Sequence, residues 1–288
     1  MGSKSILQSS PATFDRERFC DLFKNGQAHG MVVSFSEYTY SFDSKVIHEV
    51  RRMTDELDRP VAILLAVRGL PETDKDFLDL QFGIRAGIDF VLLPIVKSAK
   101  EISLMKQEIR KFGKDLPVIA QVDNARASAE LTAVMKSADA CFLDPRDVVV
   151  PADLPKDPDA DIVEDVKKKT ADPDLYRGRI WIRNNSGKRS AAISQTLLHL
   201  AGQVDADAIA VGDFEHALAL SALRTDKKVI FSSRDRMMLN RASLLWGVTP
   251  INPKADLAGI LKAKGLVSPG RRYINATQKS AGSIESMA

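Results

Sequence analysis

The sequence predicts an α/β protein that contains two successive α/β units joined by an irregular connection. Short apolar runs of strand length alternate with segments whose apolar residues recur at three- and four-residue spacing, the pattern of strands separated by helices. This alternation stops near Val150 and resumes at Arg179. Strands joined through helices pair in parallel with right-handed crossovers, so each unit is expected to hold a parallel sheet.

The first unit, residues 1–150, contains five predicted strands that are apolar on both faces, as a sheet covered by helices requires. The strands are Met31–Phe35, Val61–Val67, Asp89–Val96, Pro117–Val122 and Ala140–Leu143. The predicted helices between them are Lys45–Leu57, Asp74–Ala86, Ala99–Phe112 and Ala127–Ser137. Thr73 is placed to cap the second of these helices.

The remaining chain is predicted to form an exposed Asp- and Pro-rich connection at 151–177, a second α/β unit at 178–273 and a flexible, polar tail at 274–288. The second unit again alternates strands with helices. Its predicted elements are strand Arg179–Arg183, helix Lys188–Gln203, strand Ala208–Val211, helix Glu215–Arg224, strand Val229–Phe231 and helix Arg234–Trp246.

Composition argues against a nucleic-acid or membrane partner. The formal net charge is +3 and the basic residues are scattered, so no basic patch for nucleic acid is predicted. No apolar run reaches the roughly 18 residues that a membrane span needs. The first ten residues lack the apolar segment of a signal peptide, and the two cysteines are isolated. We therefore expect a cytoplasmic protein.

Several segments resemble the pyruvate kinase family. The sequence DRPVAILLAVRG at 58–69 is similar to the family segment GRPVAILLDTKGPE. The sequence TDKDFLDLQFGIRAGIDFVLLPIVKSAKEI at 73–102 resembles TEKDxxDLxFGxxxGVDFVALSFVRSAEDV. LPVIAQVDN at 116–124 resembles IPIIAKIEN, and ADACFLDPRD at 138–147 resembles ADGIMVARGD. In the second unit, residues 206–251 resemble the C-terminal domain of the family.

The resemblance implies a truncated or modified (β/α) TIM-like barrel followed by a pyruvate-kinase-like C-terminal α/β domain. It also implies two omissions. There is no room between Pro71 and Thr73 for the capping domain that the family inserts there, and nothing between Pro151 and Arg179 resembles its last two barrel βα units. GRIWIRN at 178–184 could replace one barrel strand. An open barrel edge would need covering, so we expect a homo-oligomer or a protein partner.

The family transfers a phosphoryl group between phosphoenolpyruvate and ADP, a step of glycolysis. The resemblance implies which positions of this chain correspond to the catalytic residues of the family. The family lysine that meets the phosphoryl group corresponds to Gln121. Its two metal-binding carboxylates correspond to Asp123 and Asp147, which would hold Mg²⁺.

The potassium and nucleotide positions of the family are mostly replaced. The family motif RLNFSHG aligns with residues 32–38, so that its arginine becomes Val32 and its asparagine becomes Ser34, while Ser36 is retained. The potassium-binding aspartate corresponds to Ala66. The potassium site is therefore predicted to be lost.

Two interpretations follow from these replacements. The first is a pseudoenzyme that has lost phosphoryl transfer and has a regulatory or assembly role. The alternative is a metal-dependent enzyme in which Asp123 and Asp147 hold a metal against a small acidic ligand such as phosphoenolpyruvate or a pyruvate-like acid, including residual pyruvate kinase activity. A structural interpretation of the pair, as inherited strand-end residues paired with arginine, also stays open.

A separate anion-binding site is predicted at the start of a helix. Ser186 and Gly187 precede the helix, and Lys188 and Arg189 lie in its first turn. Free backbone amides and two cations at a helix start suit a phosphate group. The competing interpretation is a helix start that is merely capped by Ser186.

Overall fold

The computed structural model describes residues 5–8, 14–35, 38–94, 96, 98–122, 131–143, 175–177, 179–253, 256–277 and 283–287. They divide into two compact units. The N-terminal unit contains the described residues up to Leu57 and those from Val61 to Arg183. The C-terminal unit contains Asp58–Pro60 and the described residues from Asn184 onward. Both units are α/β structures, which confirms the predicted fold class.

The N-terminal unit is built around six parallel strands in the spatial order of the sequence, from β1 to β6. The strands form a curled sheet, as in a truncated TIM-like barrel. The elements are β1 (Ser5–Gln8), α1 (Arg16–Lys24), β2 (Gly30–Val33), α2 (Tyr40–Glu56), β3 (Ala62–Ala66), α3 (Asp74–Ala86), β4 (Phe90–Leu93), α4 (Ala99–Lys111), β5 (Val118–Val122), α5 (Leu131–Ser137) and β6 (Ala140–Leu143).

One face of this sheet packs against the helices and forms the main core. Ile63, Leu65 and Val91 belong to a single buried apolar cluster together with helix residues such as Leu80 and Ile102. Because successive side chains of a strand point to opposite faces, Leu64 and its counterparts on neighbouring strands occupy the other face. That second face is the interior of the curled sheet.

The start of α3 and its approach to the sheet follow from local sequence. The hydroxyl of Thr73 accepts a hydrogen bond from the Asp76 N–H, and the Asp76 carboxylate accepts one from the Thr73 N–H at 3.0 Å. This capping box confirms the predicted role of Thr73. Within the helix, a Cβ on Gly83 would lie 2.6 Å from Leu65 Cδ2, so the glycine lets α3 pack closely on β3.

β1 is a strand that the sequence did not predict. It has four residues, and its burial on both sides hides the alternation by which a strand is usually identified. It pairs in parallel with β2, with Ile6 opposite Gly30 and Gln8 opposite Val32. The sheet therefore begins one strand earlier than expected, and β1 contributes side chains to its interior.

Both edges of the six-stranded sheet pair with a single stretch of chain. β7 (Leu175–Arg177) runs antiparallel to β1, and β8 (Arg179–Ile182) runs antiparallel to β6. One residue separates β7 from β8, and two residues span at most about 7 Å. The edges of β1 and β6 are therefore brought together at residues 175–182, and the exposed barrel edge expected from the sequence is not observed along them.

β8 also corrects the predicted organisation of the chain. The sequence assigned a strand at Arg179–Arg183 to the second unit, whereas this strand pairs with β6 of the N-terminal unit. It replaces a barrel strand as proposed for GRIWIRN, but it does so in the antiparallel direction. The continuous part of the C-terminal unit begins instead at Asn184, in the loop that precedes the next helix.

The C-terminal unit contains a five-stranded sheet in the order β11-β10-β9-β12-β13, in which only β13 is antiparallel to its neighbour. Buried side chains of β9, β10 and β12 form its core with Leu261 and Val267. The elements are α6 (Lys188–Gln203), β9 (Ala206–Val211), α7 (Phe214–Ala222), β10 (Lys228–Ser232), α8 (Arg236–Ala242), β11 (Val248–Ile251), α9 (Leu257–Ala263), β12 (Arg272–Ala276) and β13 (Ser283–Ser286).

Described residues of the segment 274–288, predicted to be a flexible tail, belong to two strands. β12 pairs with β9, Ile274 is fully buried, and Met287 packs into the core beside Tyr273. The segment is polar because β13 is an edge strand, and its Glu285 accepts a hydrogen bond from the side chain of Asn275 at 2.6 Å. Polar composition there reflects the edge position.

If residues 175–182 hold both sheet edges, proline should be poorly tolerated in either strand. Alternate N–H groups of an outer strand face the neighbouring strand, so proline should remove a ladder hydrogen bond at Tyr176 or Arg177 of β7 and at Ile180 or Trp181 of β8. The more damaging proline of each pair should lower the free energy of unfolding by about 1–3 kcal/mol. Urea unfolding and hydrogen exchange of the β1 and β6 amides would measure the loss. Alanine at the same positions, which retains the N–H, is the control, and two proline variants of a pair that are both as stable as their alanine variants would contradict the pairing.

Candidate functional site

A cavity opens on the interior face of the N-terminal sheet, at the carboxyl ends of its strands. Its volume is about 230 Å³. All six parallel strands, or the residues that directly follow them, contribute to its wall. The carboxyl end of the strands is where α/β barrels carry their active sites, so this cavity is the candidate site. Its apolar lining includes Ile6, Val32, Ala66, Leu92, Pro94 and Phe142, and its polar lining includes Gln8, Ser34, Arg68 and Gln121.

Three positions at which the family resemblance implies a charged residue line this cavity together. Val32 comes from β2, Ala66 ends β3 and Gln121 belongs to β5. The family resemblance places an arginine, a potassium-binding aspartate and a lysine at these positions. The structure therefore brings together three replaced positions that are far apart in the sequence, and it places uncharged side chains at all of them.

Gln121 is held by the pairing of β5 with its neighbours. It lies opposite Phe142 of β6, and its backbone carbonyl accepts a hydrogen bond from the Val96 N–H at 3.4 Å. The residue is partly buried. An amide in this position offers both a hydrogen-bond donor and an acceptor but no charge. It can orient a polar group of a ligand without neutralising a phosphate.

Arg68 is the charged residue among the described residues that line the cavity, and it is already paired. Its Nη2 lies 2.8 Å from Asp76 Oδ1, and its side chain is 58% exposed. The hydrogen bond from the Thr73 hydroxyl, at 2.7 Å, is the main cause that lowers the pKa of Asp76, and the bond from Arg68 adds to it. Asp76 is consequently ionised at neutral pH, and its charge offsets that of Arg68.

A second polar cluster, which the sequence did not reveal, links the end of β2 to α3. Lys75 Nζ donates to both carboxylate oxygens of Asp79, at 2.9 and 2.8 Å, and to the backbone carbonyl of Phe35 at 3.2 Å. The Tyr40 hydroxyl donates to the same carboxylate, and this bond raises the pKa of Tyr40 to about 12. The four-residue spacing of Lys75 and Asp79 was the available signal. The cluster joins the end of β2 to α3, and the carboxylate of Asp79 offsets the charge of Lys75.

The other predicted site residues of the N-terminal unit are Ser36, Asp123 and Asp147, and they lie outside the described residues. The Mg²⁺ site built on the two aspartates therefore stays a prediction. Among the residues that are described, no group of three or more His, Cys, Asp or Glu side chains is placed to hold a metal ion.

The predicted anion site at the start of α6 already contains a carboxylate. Gly187 is the N-cap residue, and Ser186 makes no capping hydrogen bond. Glu215 Oε2 accepts a hydrogen bond from the Gly187 N–H at 3.4 Å and from the Ser190 hydroxyl at 2.8 Å. A phosphate held by Ser186, Gly187, Lys188 and Arg189 would have to displace Glu215. Anion binding here stays a prediction, and capping by Ser186 is not observed.

Curated proteins that match the sequence are pyruvate kinases. The chain is 36% identical over 77 residues to pyruvate kinase 2 of Synechocystis sp., which covers 27% of this chain and 13% of that protein. It is 23% identical over 148 residues to the pyruvate kinase of Chlamydia muridarum, which covers 50% of this chain and 30% of that protein. It is 23% identical over 153 residues to the pyruvate kinase of Leishmania mexicana, which covers 48% of this chain and 31% of that protein. No protein-family profile matches the sequence.

The fold and these matches agree on the class of protein. A curled parallel sheet followed by a second α/β unit is consistent with a truncated barrel and a C-terminal domain. Several pyruvate kinases match at modest identity over part of the chain, so the chain is pyruvate-kinase-like. It spans less than a third of the length of the relatives described above.

The described helices include none with the length and apolar composition that crossing a membrane requires. The cytoplasmic location expected from the sequence stays a prediction.

The Thr73–Asp76–Arg68 contacts predict a pH-dependent contribution to stability. Asp76→Ala removes the capping box and the ion pair, and it should lower the free energy of unfolding by about 1–2 kcal/mol at neutral pH. Because folding lowers the pKa of Asp76, this contribution is present above the unfolded value of about 4 and is lost as the pH falls below it toward the folded value.

Urea unfolding of wild type and Asp76→Ala at about pH 7 and about pH 3 measures this difference. Asp115→Ala is the control, because its side chain is 86% exposed and lies 3.8 Å from Arg110. The gap between wild type and Asp76→Ala should narrow at the lower pH. A gap that stays constant would contradict the assigned role of the carboxylate.

Proposed function

We propose that this pyruvate-kinase-like protein has lost phosphoryl transfer and has a regulatory or assembly role. The observation that carries the proposal is the cavity at the carboxyl ends of the strands. Its positions 32, 66 and 121 hold Val, Ala and Gln, where the family resemblance expects Arg, Asp and Lys.

Phosphoryl transfer requires cations, and the described residues at positions 32 and 121 do not supply them. Substrate and transition state carry several negative charges, and catalysis depends on cations and metal ions that surround the transferred group. Loss of one preorganised electrostatic group typically lowers the rate by about 10²- to 10³-fold. Replacement of the cationic positions at 32 and 121, together with the potassium position at 66, should reduce phosphoryl transfer below a useful rate.

Two described cations of the N-terminal unit, Arg68 and Lys75, are already paired with carboxylates. Arg68 lines the cavity, but it lies 2.8 Å from Asp76. Lys75 is held by Asp79 and by the carbonyl of Phe35. Each of these charges is offset by a carboxylate, and moving either one toward a phosphate would break contacts that cap or anchor α3.

A regulatory or assembly role would act through a homo-oligomer or a protein partner, and that contact is part of the proposal. The outer edges of β1 and β6 do not need a partner to cover them, because β7 and β8 pair with these strands. The proposal therefore rests on the charge-depleted cavity alone.

A metal-dependent enzyme is the second candidate. Asp123 directly follows β5, and β5 pairs in parallel with β6, whose carboxyl end precedes Asp147 in the sequence. Two carboxylates that follow adjacent parallel strands suit a hard metal ion such as Mg²⁺. In this alternative the protein acts on phosphoenolpyruvate or a pyruvate-like acid, with residual pyruvate kinase activity included.

A coupled assay for pyruvate formation from phosphoenolpyruvate and ADP, with Mg²⁺ and K⁺, separates the two candidates. We expect no activity above a protein-free blank for wild type or for Gln121→Lys, because restoring one charge leaves positions 32 and 66 unchanged. Gln107→Lys, at an exposed position on α4, is the matched control for the added charge.

The variant Asp147→Ala tests whether any pyruvate formation by wild type depends on the predicted metal site. Turnover in wild type that Asp147→Ala abolishes would overturn the proposal and favour the metal-dependent enzyme. Circular dichroism of each variant establishes that the comparison is made between folded proteins.

A further inference from the structure

The cavity of the N-terminal unit has the composition of a binding site for an uncharged molecule. Its volume of about 230 Å³ suits a compound of fragment size, and most of its lining side chains are apolar. Ile6 and Leu92 are almost completely buried, as is Phe142. These side chains would exclude water from the apolar body of a ligand.

Charge in the cavity works against an anionic ligand. The cation in its lining, Arg68, is paired with Asp76, so the pair presents no net positive charge. An anion that entered would lose its hydration without gaining an uncommitted cation from the described lining residues. A neutral ligand does not have a charged group whose hydration would be lost on binding.

Two of the four polar residues in the lining carry carboxamides. Gln121 contributes one from β5 and Gln8 contributes one from β1, and Ser34 follows β2 with a hydroxyl. A carboxamide donates and accepts hydrogen bonds at the same time, so it pairs well with another amide or with a carbonyl. Such a site recognises a neutral polar group through its geometry.

We propose that this cavity binds a small, uncharged, mainly apolar molecule with an amide or carbonyl group, and that Gln121 is a specificity-determining contact. The inference rests on the proposed loss of phosphoryl transfer, since it assigns the same site a ligand without phosphate. The replacement of a charged residue by Gln121 then changes the ligand class of the site.

Benzamide and benzoate test the inference as a pair, because they share size and ring and differ in charge. Ligand-observed saturation-transfer NMR and isothermal titration calorimetry with the full chain give relative affinities. We expect benzamide to bind at least about fivefold more tightly than benzoate. Gln121→Leu should weaken benzamide binding by roughly five- to tenfold, the effect of losing one hydrogen bond.

Two further variants keep the test decisive. Ala66→Leu narrows the cavity without changing its polar groups and should abolish benzamide binding, even if Gln121→Leu proves unstable. Gln107→Leu makes the same exchange as Gln121→Leu at an exposed position on α4 and should leave binding unchanged.

The inference is overturned if benzamide fails to bind, if it binds Ala66→Leu as well as wild type, or if benzoate binds as tightly as benzamide. The last result would identify Arg68 as an anion contact. These failures leave the loss of phosphoryl transfer standing. Pyruvate formation in the coupled assay would instead overturn that loss without altering the ratio of the two affinities.

Discussion

Parallel pairing of the first six strands is the constraint on which the rest of the N-terminal unit depends. Because all six carboxyl ends meet at one edge, side chains from β1 to β6 line a single cavity although they span residues 6 to 142. β7 and β8 secure this arrangement by pairing antiparallel with the two outer strands. Without that pairing, each outer strand would present unpaired backbone groups.

Local sequence signals predicted much of this fold. The strands from β2 to β6 are short apolar runs between helix-period segments, and Thr73 marks the start of α3 as a capping residue. The family resemblance correctly predicted a pyruvate-kinase-like chain with a truncated barrel. In the site, the sequence identified Gln121 and Ala66 as replaced positions, but only the fold brings them to one cavity.

The features that the sequence did not predict depend mainly on pairing between residues that are distant in the sequence. β1 is too short to show a period, and β7 and β8 are strands because of partners more than 35 residues away in sequence. The tail begins with the buried Ile274 because β12 pairs with β9. The contact of Glu215 with the start of α6 crosses 25 to 28 residues, so the helix start looked open to a phosphate.

Electrostatics connects the fold to the proposed function. The cavity keeps the location of a barrel active site, but its charged side chain is neutralised by Asp76 and its strand positions carry apolar or amide groups. A phosphate ester would enter such a site at a high desolvation cost, whereas a neutral molecule would not. Under the proposed loss of phosphoryl transfer, the site can still bind a neutral molecule.

Binding of phosphoenolpyruvate tests this account most directly, because it probes the cavity before any chemistry. Isothermal titration of phosphoenolpyruvate into the full chain, with Mg²⁺ and K⁺ present, would measure it, and Gln121→Lys provides a comparison with one added charge. We predict no saturable heat for wild type at millimolar ligand. Saturable, Mg²⁺-dependent binding by wild type would contradict the account, because it would mean that the missing cations have been replaced.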